Sequence, residues 1–146
     1  MITIVIGADH HGFVCKEYIK QQLTMLSQPI AWYDVGARND EHSDYPIFAH
    51  QVAHAIVHGK AEFGVLLCGT GEGMAITANR HKGIYAALAW NEEVAQLSRQ
   101  HDHANVLVLP ADYISADQAV VMIRAWLQAV PLSDEHKRRI AMIDQV

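Results

Sequence analysis

The sequence predicts an α/β protein built on a five-stranded parallel sheet with helices on both faces. Three observations predict it. Five short apolar runs recur along the 146 residues, segments of helical periodicity separate them, and a glycine turn follows the third run, where a strand hands over to a helix. Residues 2–6 form a continuous β-branched run, as expected of a strand buried on both faces. Residues 12–26 carry Phe13, Ile19, Leu23 and Leu26 at helical spacing. A second strand over 31–35 leads into a polar loop over 39–43, and Pro46 opens a helix to about His58 with Phe48, Val52 and Ile56 on one face. The third strand is 63–67, a short helix follows over 74–79, and the fourth strand is 85–89. Asn91 caps a helix to about Gln100, the fifth strand is 106–109, and Ser115 with Gln118 forms a capping box for a helix to about Ala129. After Pro131, Ser133 caps a last helix to near Asp144.

Composition narrows the function. Half of the residues are apolar, enough for one core, so residues 1–146 read as a single domain with no repeat or linker. A net charge of −5 without any strongly basic patch argues against nucleic acid or an acidic membrane as partner. No segment approaches the ~20 apolar residues of a membrane span, and Met1 leads directly into a strand rather than a signal peptide. Two cysteines, Cys15 and Cys68, are too few for a disulfide framework and fit a reducing cytoplasm. Ten histidines invite a metal. His50, His54 and His58 fall on one helix face, but without carboxylates or cysteines at ligand spacing they read as a solvated or partly buried face, and no metal is expected.

The chemistry concentrates at Cys68-Gly69-Thr70-Gly71-Glu72-Gly73. Glycines here let the backbone approach a ligand, and the first amides of the following helix favour an anion. The same field lowers a thiol pKa, so Cys68 is expected to be partly thiolate near neutral pH and to act as nucleophile or base. A small buried cysteine ending a strand is the plainer reading of a lone thiol; within this turn the catalytic reading is the stronger. Parallel sheets bind ligands at the carboxyl ends of their strands, which gathers Asp9 and His10 after strand one, residues 68–73 after strand three and Asp112 after strand five into one crevice. Asp9 alone reads as a helix cap, and His101 as a cation favoured at a helix C-terminus. The sheet rule does not bring His101 to the crevice.

Gly7-Ala8-Asp9-His10 with Gly12-Phe13, Asp44-Tyr45-Pro46, residues 68–71 with Gly73, Ala78-Asn79, residues 96–101 and Asn105-Val106-Leu107 together resemble ribose-5-phosphate isomerase type B, whose relatives include the galactose-6-phosphate isomerase subunits. The motifs run colinearly over almost the whole chain. The resemblance implies a Rossmann-like three-layer sandwich, a homodimer or a tetramer of such dimers, and aldose–ketose interconversion of a sugar phosphate, by default ribose 5-phosphate and ribulose 5-phosphate, with no cofactor. It implies Cys68 as the proton-transferring base, Thr70 as a hydroxyl beside it, the amides of Gly69, Gly71 and Gly73 as anion hole, and Asp9 and His101 as ring-opening groups. It further implies His10, Tyr45, Asp102, His136 and Arg139 as substrate contacts, with the site completed across a dimer interface. Two departures stand out. The family's arginine after strand five is replaced within Pro110-Ala111-Asp112, and its arginine at the start of the last helix by Glu135. They leave open a different sugar, unphosphorylated or amino, and a non-catalytic partner subunit. A dinucleotide-binding module is the weaker reading, because no G-x-G-x-x-G turn follows strand one.

Overall fold

The computed structural model describes all 146 residues. Five strands and six helices follow in the order β1 (Ile2–Ala8), α1 (Phe13–Gln22), β2 (Ile30–Asp34), α2 (Tyr45–Val57), β3 (Phe63–Cys68), α3 (Glu72–Ala78), β4 (Ala86–Leu88), α4 (Glu92–Asp102), β5 (Val106–Pro110), α5 (Ala116–Gln128) and α6 (Glu135–Ile143). The strands form one all-parallel sheet in the order β2-β1-β3-β5-β4. Because β1, β3 and β5 are its three central strands, the loops that leave their carboxyl ends must meet.

Alternation along the strands supplies two cores. Ile4, Ile6, Val65, Leu67, Leu107 and Leu109 point to one face and pack with Ile19 and Leu23 from the α1 side and Met122, Ile123 and Trp126 of α5. Val5, Leu66, Cys68, Val106 and Val108 point to the other, against Ala49, Val52 and Ala53 of α2 and Met74 and Ala78 of α3. Cys68 therefore lies beneath the start of α3. The helix α6 has no buried residue and leans on α4.

Caps follow their expected chemistry in two places. The Asn91 side chain accepts from Val94 N, and Ser115 and Gln118 form both bonds of a capping box. Three boundaries differ. The helix α1 stops at Gln22 rather than continuing to Leu26, because the chain folds back through a bridge between Met25 and Pro29 to start β2. The helix α3 begins at Glu72, directly after Gly71, whose φ of 80° turns the strand into the helix. Ser133 does not cap α6: Leu132 is pinned to α4 by its N–H on Gln100 O (2.9 Å) and its carbonyl on His103 Nε2 (2.6 Å), and the helix starts beyond it with Asp134 at the cap position and no side-chain bond.

A buried ion pair ties α1 to β2. Lys16 is fully buried, and its Nζ donates to Asp34 Oδ2 at 2.7 Å and to Glu17 Oε1 at 3.1 Å, while Lys20 reaches the same Asp34 oxygen at 2.5 Å. Burial opposes the Asp34 charge, but the two ammonium groups and the Gly36 N–H outweigh it and hold this carboxyl below its ordinary range. Its contribution to stability is thus fully present above the unfolded carboxylate range and is lost as pH falls through the depressed folded value. Asp34→Asn, which strips Lys16 of its main counter-charge, is expected to lower the urea unfolding free energy by about 3 kcal/mol and to remove part of the acid-induced loss of stability seen in the wild type. An unchanged midpoint would show that Glu17 alone satisfies Lys16.

Candidate active site

The crevice at the carboxyl ends of the central strands is built around Cys68. Its thiol is 5% exposed. The backbone amides of Gly71, Gly73 and Met74 point at the sulfur. This geometry needs the turn as the sequence writes it. A Cβ on Gly71 would meet Leu88 at 2.5 Å besides facing a positive φ, and one on Gly73 would overlap the Tyr45 ring. Tyr45 is thereby held against the turn from the start of α2. Thr70 is exposed, and its Oγ1 accepts from Glu72 N at 3.2 Å. Glu72 itself faces solvent.

The loop after β1 supplies the neighbours. Asp9, 6% exposed, accepts from His11 N (2.9 Å) and Gly12 N (3.2 Å) through Oδ1. It caps the approach to α1 and stands beside the thiol at once, near enough to disfavour a second negative charge there. Gly12 packs so tightly on Leu67 that a Cβ added there would lie 2.5 Å from the Leu67 side chain, so this loop is seated on the end of β3. Nδ1 of His10 lies 3.2 Å from both the N and the O of Ser43, so either tautomer is anchored to the polar loop and Nε2 is the ring's free nitrogen.

The thiol departs from the expected thiolate. Burial is the largest influence on Cys68 and, with the Asp9 charge, raises its pKa above the usual thiol value, against the lowering pull of the three amides. A helix N-terminus alone does not decide the ionisation of a group that the core closes over. The free protein at neutral pH therefore carries Cys68 as a thiol with its amide ring in place.

Three residues come into the crevice that the sequence reading did not assign to a site, His11, Trp90 and Tyr113. Nδ1 of His11 pairs with Asp112 Oδ2 at 2.9 Å, bridging the loops after β1 and β5 across Gly69. The doublet His10-His11 was the only signal, and it does not say which histidine turns inward. Trp90 and Tyr113, both largely exposed, wall a cavity of about 290 Å³ with Thr70, Glu72, Leu88 and Pro110.

His101, Asp102, His136 and Arg139 are not brought to Cys68 within the protomer. The helix α4 descends from the carboxyl end of β4 and ends just before β5, whose first residue Val106 pairs with Gly64, whereas Cys68 pairs with Pro110 at the far end. The four intervening strand steps separate the two ends by about 13 Å along the sheet. At that lower corner the rings of His101 and His136 stack, with centroids 4.8 Å apart at 23°. Arg139 is one turn further along α6, with Glu135 Oε2 4.0 Å away, and Asp102 is exposed. The corner is thus a second polar cluster, at the opposite end of the central strands from the thiol.

A parallel α/β sheet with a thiol ringed by amides at its central carboxyl end defines a class of small-ligand proteins, and comparison with known proteins narrows it. The family model described as Ribose/Galactose Isomerase matches residues 4–143, and the chain belongs to that family. It is 36% identical over 146 residues to ribose-5-phosphate isomerase B of Escherichia coli (strain K12), covering 100% of this chain and 97% of the relative. Over 129 residues it is 39% identical to D-erythrulose-4-phosphate isomerase of Pectobacterium atrosepticum, covering 88% and 84%. The crystal structure of a ribose 5-phosphate isomerase from Thermotoga maritima superposes with a TM-score of 0.93 at 41% identity, covering 99% of each chain.

The ionisation of Cys68 is directly measurable. Cys15 is pushed up to about 11 by burial, so a Cys15→Ser protein isolates the other thiol. Its thiolate absorbance at 240 nm is expected to rise with a midpoint above the ordinary ~8.5 of a free cysteine. A midpoint below 8 would mean that the amide ring dominates over burial.

Proposed function

We propose that the protein is an aldose–ketose isomerase acting through an enediolate, with Cys68 as the base that moves the proton between C1 and C2. The observation that carries the reading is the ring of Gly71, Gly73 and Met74 amides around a buried thiol with the Asp9 carboxylate beside it. Carbonyl migration needs a base for a weakly acidic C–H and a donor set for the oxyanion that results. Cys68, a thiol in the free protein, first gives its proton to the Asp9 carboxylate beside it; the thiolate then takes the proton from one sugar carbon and returns it to the adjacent carbon. The turn amides, no longer spent on a charged sulfur once the proton has arrived, are then free to turn toward the enediolate oxygens. Thr70 and the free nitrogen of His10 supply further donors at the mouth, and Tyr45 closes the wall beside Gly73.

The full site is a homodimer's. The half-buried stack of His101 and His136, with Arg139 next to it, fits as the portion that a second copy lays over the crevice, and the helix α6, with Met142 and Ile143 exposed, supports that docking. In that arrangement the partner's His101 opens the cyclic sugar with Asp9 handling hydroxyl protons, and the partner's His136 contacts the substrate. Arg139 of α6 offers a far contact. Ribose 5-phosphate is the default substrate, supported by the name of the E. coli relative. Another sugar is the second reading, favoured by the four-carbon substrate named for the Pectobacterium relative and by the Asp112 carboxylate on the crevice wall. The two reduced cysteines fit a cytoplasmic enzyme.

Cys68→Ala is expected to lower kcat by about a thousandfold with the fold retained, the range for loss of an essential acid–base group. Near-normal turnover by the folded variant would remove Cys68 from the chemistry. Subunit exchange tests the shared site. Cys68→Ala and His101→Ala proteins, each inactive alone, are expected to recover about a quarter of wild-type activity after mixing, because half of the dimers then hold one intact site of two. No recovery despite exchanged subunits would confine each site to one protomer.

A further inference from the structure

We propose that the His11–Asp112 pair is a substrate subsite that takes a hydroxyl-bearing carbon of the sugar and turns a phosphate dianion away from the Gly69 side of the crevice. The inference rests on the isomerase reading of the same crevice and names the chemical class that it selects.

Both members are anchored by their backbones to functional residues. His11 N donates to Asp9 Oδ1 at 2.9 Å, and Asp112 N donates to Gly69 O at 3.1 Å, while the neighbouring Ala111 N donates to Cys68 O at 2.9 Å. Their side chains meet directly above Gly69. A Cβ there would lie 2.7 Å from Asp112 Oδ2 and 3.4 Å from His11 Nδ1, so the missing side chain of Gly69 is the space that the pair fills. Each side chain is nonetheless about half exposed and has one polar atom left over, Oδ1 of Asp112 and Nε2 of His11. A carboxylate oxygen beside a ring nitrogen matches two neighbouring sugar hydroxyls, one donating to Oδ1 of Asp112 and the other to Nε2 of His11, the accepting nitrogen when Nδ1–H donates to Asp112.

A phosphate fits poorly at the same place. It offers mainly acceptors, and it would meet the Asp112 carboxylate with Asp9 and Glu72 nearby and no lysine or arginine among the crevice side chains of the protomer. Four amides of the turn and the first helical residues are already directed elsewhere. Those of Gly71, Gly73 and Met74 are directed at the Cys68 sulfur, and that of Glu72 is held by Thr70 Oγ1. The wall beside Gly69 is therefore a hydroxyl reader rather than a phosphate clamp.

The test compares D-ribose 5-phosphate with D-ribose, by kcat/KM in the intact protein and by calorimetric binding in the Cys68→Ala background, for the wild type, Asp112→Asn and His11→Phe. Asp112→Asn is expected to raise the ester-to-free-sugar preference by about tenfold, chiefly through KM, and His11→Phe to weaken the free sugar by a similar factor with little change in kcat. A preference that stays within about twofold of wild type in both variants, or no binding of the free sugar to the wild-type crevice, overturns the subsite. Absence of turnover on either sugar by a folded wild type would instead sink the isomerase reading, and the binding ratio would still decide the role of the pair.

Discussion

The crevice depends on one interaction, the convergence of three backbone amides on a buried sulfur. Gly71 makes it by taking a φ of 80°, which swings the chain from β3 into α3 within three residues and leaves the first amides of the helix facing back at Cys68. Tyr45, Leu88 and the His11–Asp112 pair each press into a space that a side chain on Gly73, Gly71 or Gly69 would take. The glycines are thus fixed by their neighbours as well as by the turn. The same closeness that aims the amides also removes water from the thiol, so the two effects on its ionisation come from one geometry and oppose each other.

Around that centre the sheet divides the labour between its two ends. The central strands deliver Asp9, His10, Cys68 and Asp112 to the carboxyl edge, where short loops hold them with backbone bonds to one another. The opposite corner collects His101 and His136 on helices that bury little of their own surface. In the proposed enzyme these are two halves of one site, the thiol end of one protomer and the stacked imidazole pair of a second copy. The buried Lys16–Asp34 pair lies at the β2 edge of the sheet, away from the β4 side where α4 and α6 pack, and serves stability there.

Much of this was legible in the residues. The five strands were visible as short apolar runs, most clearly in the β-branched β1, because central parallel strands buried on both faces need them, and the caps at Asn91 and Ser115 were visible because their side-chain oxygens follow fixed spacing. The crevice loops followed from the sheet rule once Cys68 to Gly73 was placed after β3. What was not legible depends on three-dimensional neighbours. Ser133 has the chemistry of a cap, but the attachment of Leu132 to α4 decides where α6 begins. The thiol pKa turned on burial, which a helix N-terminus read in one dimension does not report. Whether His10 or His11 would pair with Asp112 turned on how the loop sits on Leu67 through Gly12.

The central claim is that a proton passes through Cys68 by way of an enediolate. The most direct measurement is mass-spectrometric analysis of ribose 5-phosphate and its ketose product after incubation with the protein in D2O. The account predicts solvent deuterium on the carbon that gains the proton, appearing at the rate of turnover with the wild type. Isomerisation without any deuterium incorporation, as in direct hydride migration between the two carbons, would contradict it.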